Sequence, residues 1–372
     1  MAKPKQTRRL NVEVLRIFAM LLIVACHGIL HIPWMLNVDK GLAFKPGWRY
    51  ALSYLVVQYG QVGVAIFFVI SGYFLVRKRF NWTRIFKTWF QMFCYGILVF
   101  AIIFICALNM RLPGGISDSF HGDNLITTLV WTFLPFFFGS YWFITAYICM
   151  LLLSPFLNAL FDNLSERYID ALIGLLAIFG IWMLFFDRGK AWDNVTYAVL
   201  GYLIGGWIRN YADKHSKILR TRNLVFLIIL FTICMAVFNH VSASGVHVVQ
   251  VLGWQNQIKD GIQVLPMIIG AAIFILVNRI DMSHMPHGLE TFTLKLAASS
   301  FGVYLLHENM FLYRLIWPTV AGMFPVPHSS LSKIAIFVAC VLIVYAAASL
   351  VAFLLDTLIV HPLERTIRIL QR

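Results

Sequence analysis

Three ionisable side chains interrupt the first apolar stretch of the chain, residues 10–31, and they are the first candidates for chemistry. They are Glu13, Arg16 and His27. Ionisable groups at membrane depth are costly and face protein or a water-filled cavity rather than lipid. Arg16 and His27 are eleven residues apart, so on an α-helix they share one face and lie roughly 16 Å apart along it. An imidazole can take a proton from a hydroxyl near neutral pH, and a guanidinium can bind a phosphate.

The composition that surrounds these residues is that of a polytopic membrane protein. Of the 372 residues, 60% are hydrophobic and 12% are charged, whereas about a quarter of a soluble domain is charged. Apolar stretches long enough to span a bilayer follow one another closely. The predicted spans are residues 10–31, 51–76, 85–108, 140–160, 169–186, 193–210, 222–240, 258–279, 296–316 and 333–359. The sequence thus predicts an all-α bundle of about ten transmembrane helices, forming a single domain over residues 1–372 without an appended soluble domain.

A further apolar stretch, residues 125–138, contains Pro135 and is too short to span a bilayer. We expect it to lie at the interface or to re-enter the membrane from one side.

The distribution of positive charge predicts the orientation of the bundle. The formal net charge is +14, and the Lys and Arg residues concentrate in alternate loops, such as those around residues 77–84 and 209–222. By the positive-inside rule these loops and both termini are cytoplasmic. This placement explains the basic balance, so no nucleic-acid partner is expected. The six cysteines lie in apolar stretches without metal-ligand spacing, and no metal site is expected.

The spacing of Glu13, Arg16 and His27 resembles the start of the acyltransferase-3 family. These integral-membrane enzymes move acyl groups, usually acetyl, from coenzyme A to envelope sugars and related acceptors, and their first helix carries an acid, then Arg, ten residues and His. Four later segments are also similar to the family. They are FFVISGYFL at 67–75, GSYWF at 139–143, SFGVYLLH at 300–307 and HPLER at 361–365.

The resemblance implies roles for the polar residues of the first and third spans. His27 is the implied general base, or alternatively a nucleophile that forms an acyl-imidazole. Glu13 joins it in the catalytic group, because it lies one turn from Arg16 and can pair with that side chain. Arg16, Arg84 and Lys87 are the implied binders of the coenzyme A phosphates. At the last position the family usually has Arg, and Lys keeps the charge without the bidentate fork.

Four more residues are implied to contact substrate: Trp142, Tyr304, His307 and Glu308. The last two are polar groups well inside a predicted span, so they should face the bundle interior. Two of these residues also have a purely structural interpretation, Trp142 as an interfacial aromatic and His307 as a satisfied buried histidine. Likewise, Arg84 and Lys87 are equally typical of a basic loop that anchors a span.

The resemblance implies a multi-pass O-acyltransferase of the plasma membrane. Its donor substrate would be cytoplasmic acyl-CoA, whose phosphates would bind the cations near one membrane surface, and no cofactor would be bound permanently. The acceptor would be a hydroxyl of an extracytoplasmic envelope or exopolysaccharide sugar, free or lipid-linked, within reach of the membrane lipid. The alternatives are a transporter or flippase, which also has many spans and buried charge, or acylation of a protein or lipid. A structural Glu13–Arg16 pair with a buried His27 is the remaining alternative.

Overall fold

All regular secondary structure in the described part of the chain is helical. The computed structural model describes residues 9–35, 47–113, 115–136, 141–182, 193–244, 246–253 and 261–370. The helices are α1 (Leu10–His31), α2 (Trp48–Leu75), α3 (Trp82–Asn109), α4 (Asp123–Phe133), α5 (Trp142–Asn163), α6 (Glu166–Trp182), α7 (Asn194–Tyr211), α8 (Thr221–Ala243), α9 (His247–Val251), α10 (Val264–Asn278), α11 (His287–His307), α12 (Leu312–Gly322), α13 (Ser330–Leu355) and α14 (His361–Leu370). A π-helical segment, Asp356–Val360, joins α13 to α14. The all-α prediction is confirmed.

Six of these helices are long and apolar enough to cross a membrane. They are α1, α2, α3, α5, α8 and the continuous helix Ser330–Ile367. The prediction of about ten spans is therefore confirmed for six among the described residues. The spans predicted at 169–186, 193–210, 258–279 and 296–316 stay predictions, as does the cytoplasmic location of both termini. The first and third of these four extend into residues outside the described ranges.

The predicted span at 296–316 is interrupted, which is a difference from the sequence-based expectation. Helix α11 ends at His307 and α12 begins at Leu312. The Oδ1 atom of Asn309 accepts hydrogen bonds from the backbone N–H groups of Phe311, at 3.0 Å, and Leu312, at 3.4 Å. These are the bonds by which a capping side chain starts a new helix, so the apolar run is divided between two helices.

The short apolar stretch forms helix α4, which has 11 residues. A helix of that length extends about 16 Å, roughly half of the hydrocarbon thickness of a bilayer. The structure agrees with the expectation that this stretch does not span the membrane. Residues 137–140, at the end of the predicted stretch, lie outside the described ranges.

Helix α1 lies inside the bundle, in contact with α2, α10, α11, α12 and α13. Two glycines of α2 permit the closest approaches between helices. A Cβ atom at Gly63 would collide with the carbonyl oxygen of Ala19 in α1, and one at Gly72 would collide with the backbone of Tyr202 in α7. Small residues commonly allow such contacts in membrane helices. Close packing on several sides holds the polar face of α1 against α11.

Candidate active site

His27, in the last turns of α1, lies against the end of α11. Its Nδ1 atom is 2.8 Å from Nε2 of His307 and 3.2 Å from Oε2 of Glu308. His307 is fully buried, and the side chain of His27 is 12% exposed. Because α11 ends at His307, Glu308 occupies the break before α12 and can turn toward α1. The structure therefore brings together three residues from opposite ends of the sequence.

A hydrogen bond to the backbone determines the proton positions in this cluster. Nδ1 of His307 lies 2.6 Å from the carbonyl oxygen of Val303, so Nδ1 donates its proton there. In a neutral imidazole the other nitrogen is then an acceptor, and the contact with His27 requires Nδ1 of His27 to be the donor. Nε2 of His27 consequently holds the lone pair that can accept a proton. The Glu308 carboxylate beside Nδ1 stabilises the positive charge that would result.

A second histidine of α1, His31, also lies near the Glu308 carboxylate. Its Nε2 atom is 3.8 Å from Oε2 of Glu308, and its ring centroid is 4.5 Å from that of Tyr313. The sequence analysis did not single out His31. Its position four residues after His27 is the signal that could have done so, since residues at that spacing share a helix face.

The same cluster meets a geometric criterion for metal binding. One ligand atom from each of His27, His307 and Glu308 lies within 4.8 Å of the others. Two nitrogens bound to a tetrahedral zinc ion at 2.0–2.1 Å would be about 3.3 Å apart. The observed separation of 2.8 Å between the two histidine nitrogens is instead that of a hydrogen bond. We therefore assign the cluster as a hydrogen-bonded pair of imidazoles with a carboxylate.

Glu13 and Arg16 form the ion pair that the sequence predicts. Nη1 of Arg16 lies 3.2 and 3.3 Å from the two carboxylate oxygens of Glu13. Glu13 is buried, whereas the Arg16 side chain is 35% exposed. Glu13 lies fourteen residues before His27, about 21 Å along the helix. Its carboxylate therefore positions Arg16 and does not contact the imidazole.

A cavity of about 530 Å³ opens beside Arg16 and follows α1 and α11 toward the histidine cluster. Lys295 lies twelve residues before His307, as Arg16 lies eleven before His27. Because both helices lead to the same cluster, the two cations line the same end of the cavity. The walls nearer the cluster include Ile23, Phe67, Phe143 and Tyr304. The cavity thus has two cations at one end and mostly apolar walls at the other, and the Asp356 carboxylate also belongs to its lining.

The acyltransferase-3 family model, described as an acyltransferase domain, matches residues 9–354, nearly the whole chain. The chain belongs to the acyltransferase-3 family. Neither the curated proteins nor the solved structures compared with the chain include a match. Family membership makes the protein a membrane acyltransferase and favours the enzymatic interpretation over a transporter.

The described lining of the cavity in this acyltransferase does not include Arg84, Lys87 or Trp142. Nη1 of Arg84 donates to the carbonyl oxygen of Arg79 at 3.3 Å, and Nζ of Lys87 lies 2.9 Å from Oε1 of Glu364. Trp142 packs edge-on against Phe143. The structure places the two cations at the start of α3 beside protein partners.

Tyr304 connects the cavity to the histidine cluster. It is 3% exposed and lines the cavity, and its ring centroid is 6.2 Å from that of His307. Within the described residues its hydroxyl makes no hydrogen bond of standard geometry. This acyltransferase therefore has a buried phenolic donor between the cavity and the candidate base.

Asp356 is a lining residue that sequence reasoning missed. It lies in the π-helical segment after α13, and its Oδ1 atom accepts hydrogen bonds from Tyr95, at 2.9 Å, and Gln91, at 2.8 Å. Lys295 and His361 also line the cavity, and neither was assigned to the site from the sequence. The available signal was a carboxylate inside a long apolar run. Asp356 and His361 lie beyond the range that the family model matches.

Proposed function

We propose that this acyltransferase moves an acyl group, with acetyl as the expected case, from acyl-CoA to a hydroxyl of an envelope or exopolysaccharide sugar. The donor would bind from the cytoplasmic face of the plasma membrane, and the sugar, free or lipid-linked, would bind at the opposite face. One observation carries the proposal. His27 is held by His307 and Glu308 one helical turn beyond Ile23, a lining residue of the cavity that begins at Arg16.

The cavity suits the chemistry of the donor. Acyl-CoA combines an anionic nucleotide with a long uncharged arm that ends in the thioester. Arg16, Lys295 and His361 contribute two permanent positive charges and an imidazole to the lining, where phosphate groups would bind. The walls beyond them suit the arm, because an uncharged arm costs far less to desolvate than the nucleotide phosphates. Glu13 fixes the orientation of Arg16 by pairing with it.

In the proposed reaction, Nε2 of His27 removes the proton from the acceptor hydroxyl. The hydroxyl oxygen then forms a bond to the thioester carbonyl carbon, and the carbon–sulfur bond breaks. The departing sulfur takes the proton back from Nε2, so the products are the acyl ester and the free thiol of coenzyme A. During the step, His307 and Glu308 keep Nδ1 of His27 oriented, and the carboxylate stabilises the imidazolium.

The negative charge that develops on the thioester oxygen needs a hydrogen-bond donor. The Tyr304 hydroxyl is a candidate, because it is buried, lines the cavity and adjoins His307. A donor that is already oriented in a water-poor site lowers the barrier without reorganising during the reaction. Tyr304 thus has the position and the chemistry of an oxyanion donor in this proposal.

The test is transfer of label from acetyl-CoA to membrane glycans, followed by mass spectrometry of the product. His27→Ala should lower turnover by at least about a hundredfold, since general-base catalysis contributes roughly that much or more. The exposed His284 provides a matched control, and His284→Ala should retain activity. A burst of free coenzyme A without acceptor would assign the covalent acyl-imidazole route.

Substantial residual turnover of His27→Ala would remove His27 from the chemistry. If the unmodified protein consumed no donor with any envelope glycan, the proposed function itself would be wrong.

A further inference from the structure

A second cavity, of about 610 Å³, lies where α2 ends and the chain turns toward α3. Three consecutive cations line it, namely Arg77, Lys78 and Arg79, together with residues of α5 and α7. Among the described residues, none lines both this cavity and the donor cavity. The charge distribution predicts that this end of α2 is cytoplasmic. The proposed donor site does not account for this second cavity.

Among the described residues, no carboxylate pairs directly with the cations at this cavity. In the described ranges, Arg77, Lys78, Arg79 and Arg84 form no ion pair. Asp162 is the acidic residue among the described lining, and it has no cationic partner within 4.0 Å there. Like charges held this close repel one another, so a bound anion would stabilise the arrangement.

Hydrogen bonds fix the backbone and one of the cations in place. Nε and Nη2 of Arg77 donate to Oδ1 of Asn210 at 3.0 and 2.7 Å. Nδ2 of Asn158 donates to the carbonyl oxygen of Lys78 at 3.1 Å, and the Tyr202 hydroxyl donates to Oδ1 of Asn158 at 2.6 Å. The cationic turn is therefore anchored to α5 and α7, and its shape does not depend on a ligand.

Lys78, which lies between the exposed Arg77 and Arg79, is less solvated than a cation in a basic loop that serves only to orient a span. Burial, with a smaller contribution from the Arg84 charge, lowers the pKa of Lys78 below its usual range. A freely hydrated lysine would not show this effect. The cavity thus holds a cation, Lys78, that is only partly hydrated and has no carboxylate within 4.0 Å among the described residues.

We propose that this second cavity binds a phosphate group at the cytoplasmic end of α2. Phosphate accepts charge-assisted hydrogen bonds from Arg and Lys, and the cavity presents both. Phe80 and Phe161 also line it, so it suits a phosphate ester that carries an apolar or aromatic remainder. Anionic phospholipids and nucleotides both have this chemistry, and lipid headgroups lie at the level of helix ends. The inference does not depend on the proposed function.

Thermal unfolding of the full chain in uncharged detergent tests the proposal. The probes are dioleoyl phosphatidylglycerol, inorganic phosphate and adenosine 3′,5′-bisphosphate, with sodium chloride at equal ionic strength as reference. A ligand that binds the folded state raises Tm. We expect at least one phosphate probe to raise the Tm of the unmodified protein more than chloride does. In the double variant Lys78→Gln/Arg79→Gln this rise should disappear.

A matched variant separates the cavity from general charge. Lys217→Gln/Arg220→Gln removes the same charge from another loop on the side predicted to be cytoplasmic, and it should keep the rise. A rise with the lipid alone would identify a headgroup as the source, whereas a rise with the soluble probes would identify a free or nucleotide phosphate. Since Lys78 is partly buried, the exposed Arg79→Gln alone is a second variant, with an expected partial loss. Equal rises in all variants, or none with any probe, would overturn the proposal.

Discussion

The backbone carbonyl of Val303 determines which nitrogen of His27 can act as a base. It accepts the Nδ1 proton of His307, which leaves Nε2 of His307 as an acceptor. Nδ1 of His27 must then be the donor in the contact between the two histidines. A hydrogen bond to the ring nitrogen that does not react commonly fixes the tautomer of a functional histidine in this way. In the sequence, His307 was a candidate substrate contact with a structural alternative. The structure supports a positioning role for it, because His307 contacts His27 and is itself fully buried.

The cations of the donor site lead to a residue-level prediction. Lys295→Gln should raise the KM for acyl-CoA by roughly tenfold, because a charge-assisted contact to phosphate is worth about 1.5–3 kcal/mol. Lys87→Gln should leave this KM nearly unchanged, since Lys87 pairs with Glu364 and does not belong to the described cavity lining. Steady-state kinetics on both variants gives the comparison. A larger KM effect at Lys87 than at Lys295 would contradict the donor position.

These two lysines show what residue patterns alone could not supply. Lys87 stands at a position where the resemblance implies a donor contact, whereas Lys295 is typical of a cytoplasmic loop cation. Which cations share a cavity depends on how α1, α11 and the segment after α13 pack against one another. Those contacts join residues hundreds of positions apart, and no local spacing encodes them. The Glu13–Arg16 pair was predictable because it is local, at three residues on one helix.

At the scale of elements, the break between α11 and α12 positions Glu308, and this gives a second prediction. Asn309 caps α12, and its Nδ2 atom donates to the Tyr141 hydroxyl at 2.9 Å. Asn309→Ala should lower the free energy of unfolding by about 1–2 kcal/mol and reduce turnover, because both bonds are lost. Asn309→Asp keeps a capping oxygen and should be milder. Unchanged Tm and turnover in Asn309→Ala would show that the break does not depend on this cap.

The contact between the start of α6 and the segment that follows α7 yields a pH-dependent prediction. Hydrogen bonds from His215 and then Lys214 hold the pKa of Glu166 below its usual range. A lowered pKa in the folded state contributes stability above the unfolded value of about 4.3, and that stability is lost as the pH falls through the folded value. The Tm of the unmodified protein should therefore exceed that of Glu166→Gln at pH 5 and above, and the difference should shrink below about pH 4.

Thermal unfolding between pH 3 and 7 provides the measurement. Glu290→Gln, at a half-exposed carboxylate of α11, serves as control and should show a much smaller difference. A Tm difference for Glu166→Gln that did not change with pH would mean that the carboxylate charge is not the cause.

The element boundaries show where sequence patterns succeed and where they fail. Long apolar runs predicted α1 to α3, α5, α8 and α13, because burial in a bilayer requires continuous apolar length. The break at residues 308–311 was missed because apolar residues flank the short polar segment His307–Asn309 on both sides. The capping function of that one side chain depends on its partner Tyr141, which lies 168 residues earlier.

At the scale of the whole molecule, α1 and α11 run in the same direction, each with a cation at one end and a histidine at the other. This parallel arrangement gives the site a polarity across the bundle. With the first helix entering from the cytoplasm, as the charge distribution predicts, the cationic end faces the compartment that contains coenzyme A. The apolar walls and the His27 cluster then lie toward the opposite face.

The last prediction is that the acyl group crosses the membrane while its carrier does not. Several negative charges make the nucleotide of acyl-CoA too costly to move through hydrocarbon, whereas the uncharged arm can enter the cavity. Labelled acetyl-CoA supplied on the Arg16 side of oriented vesicles should transfer label to a glycan confined to the other side. Free coenzyme A should remain on the first side, and His27→Ala vesicles should transfer no label. If transfer required both substrates on one face, the trans-bilayer arrangement would be wrong, although the acyltransferase assignment would stand on the family match.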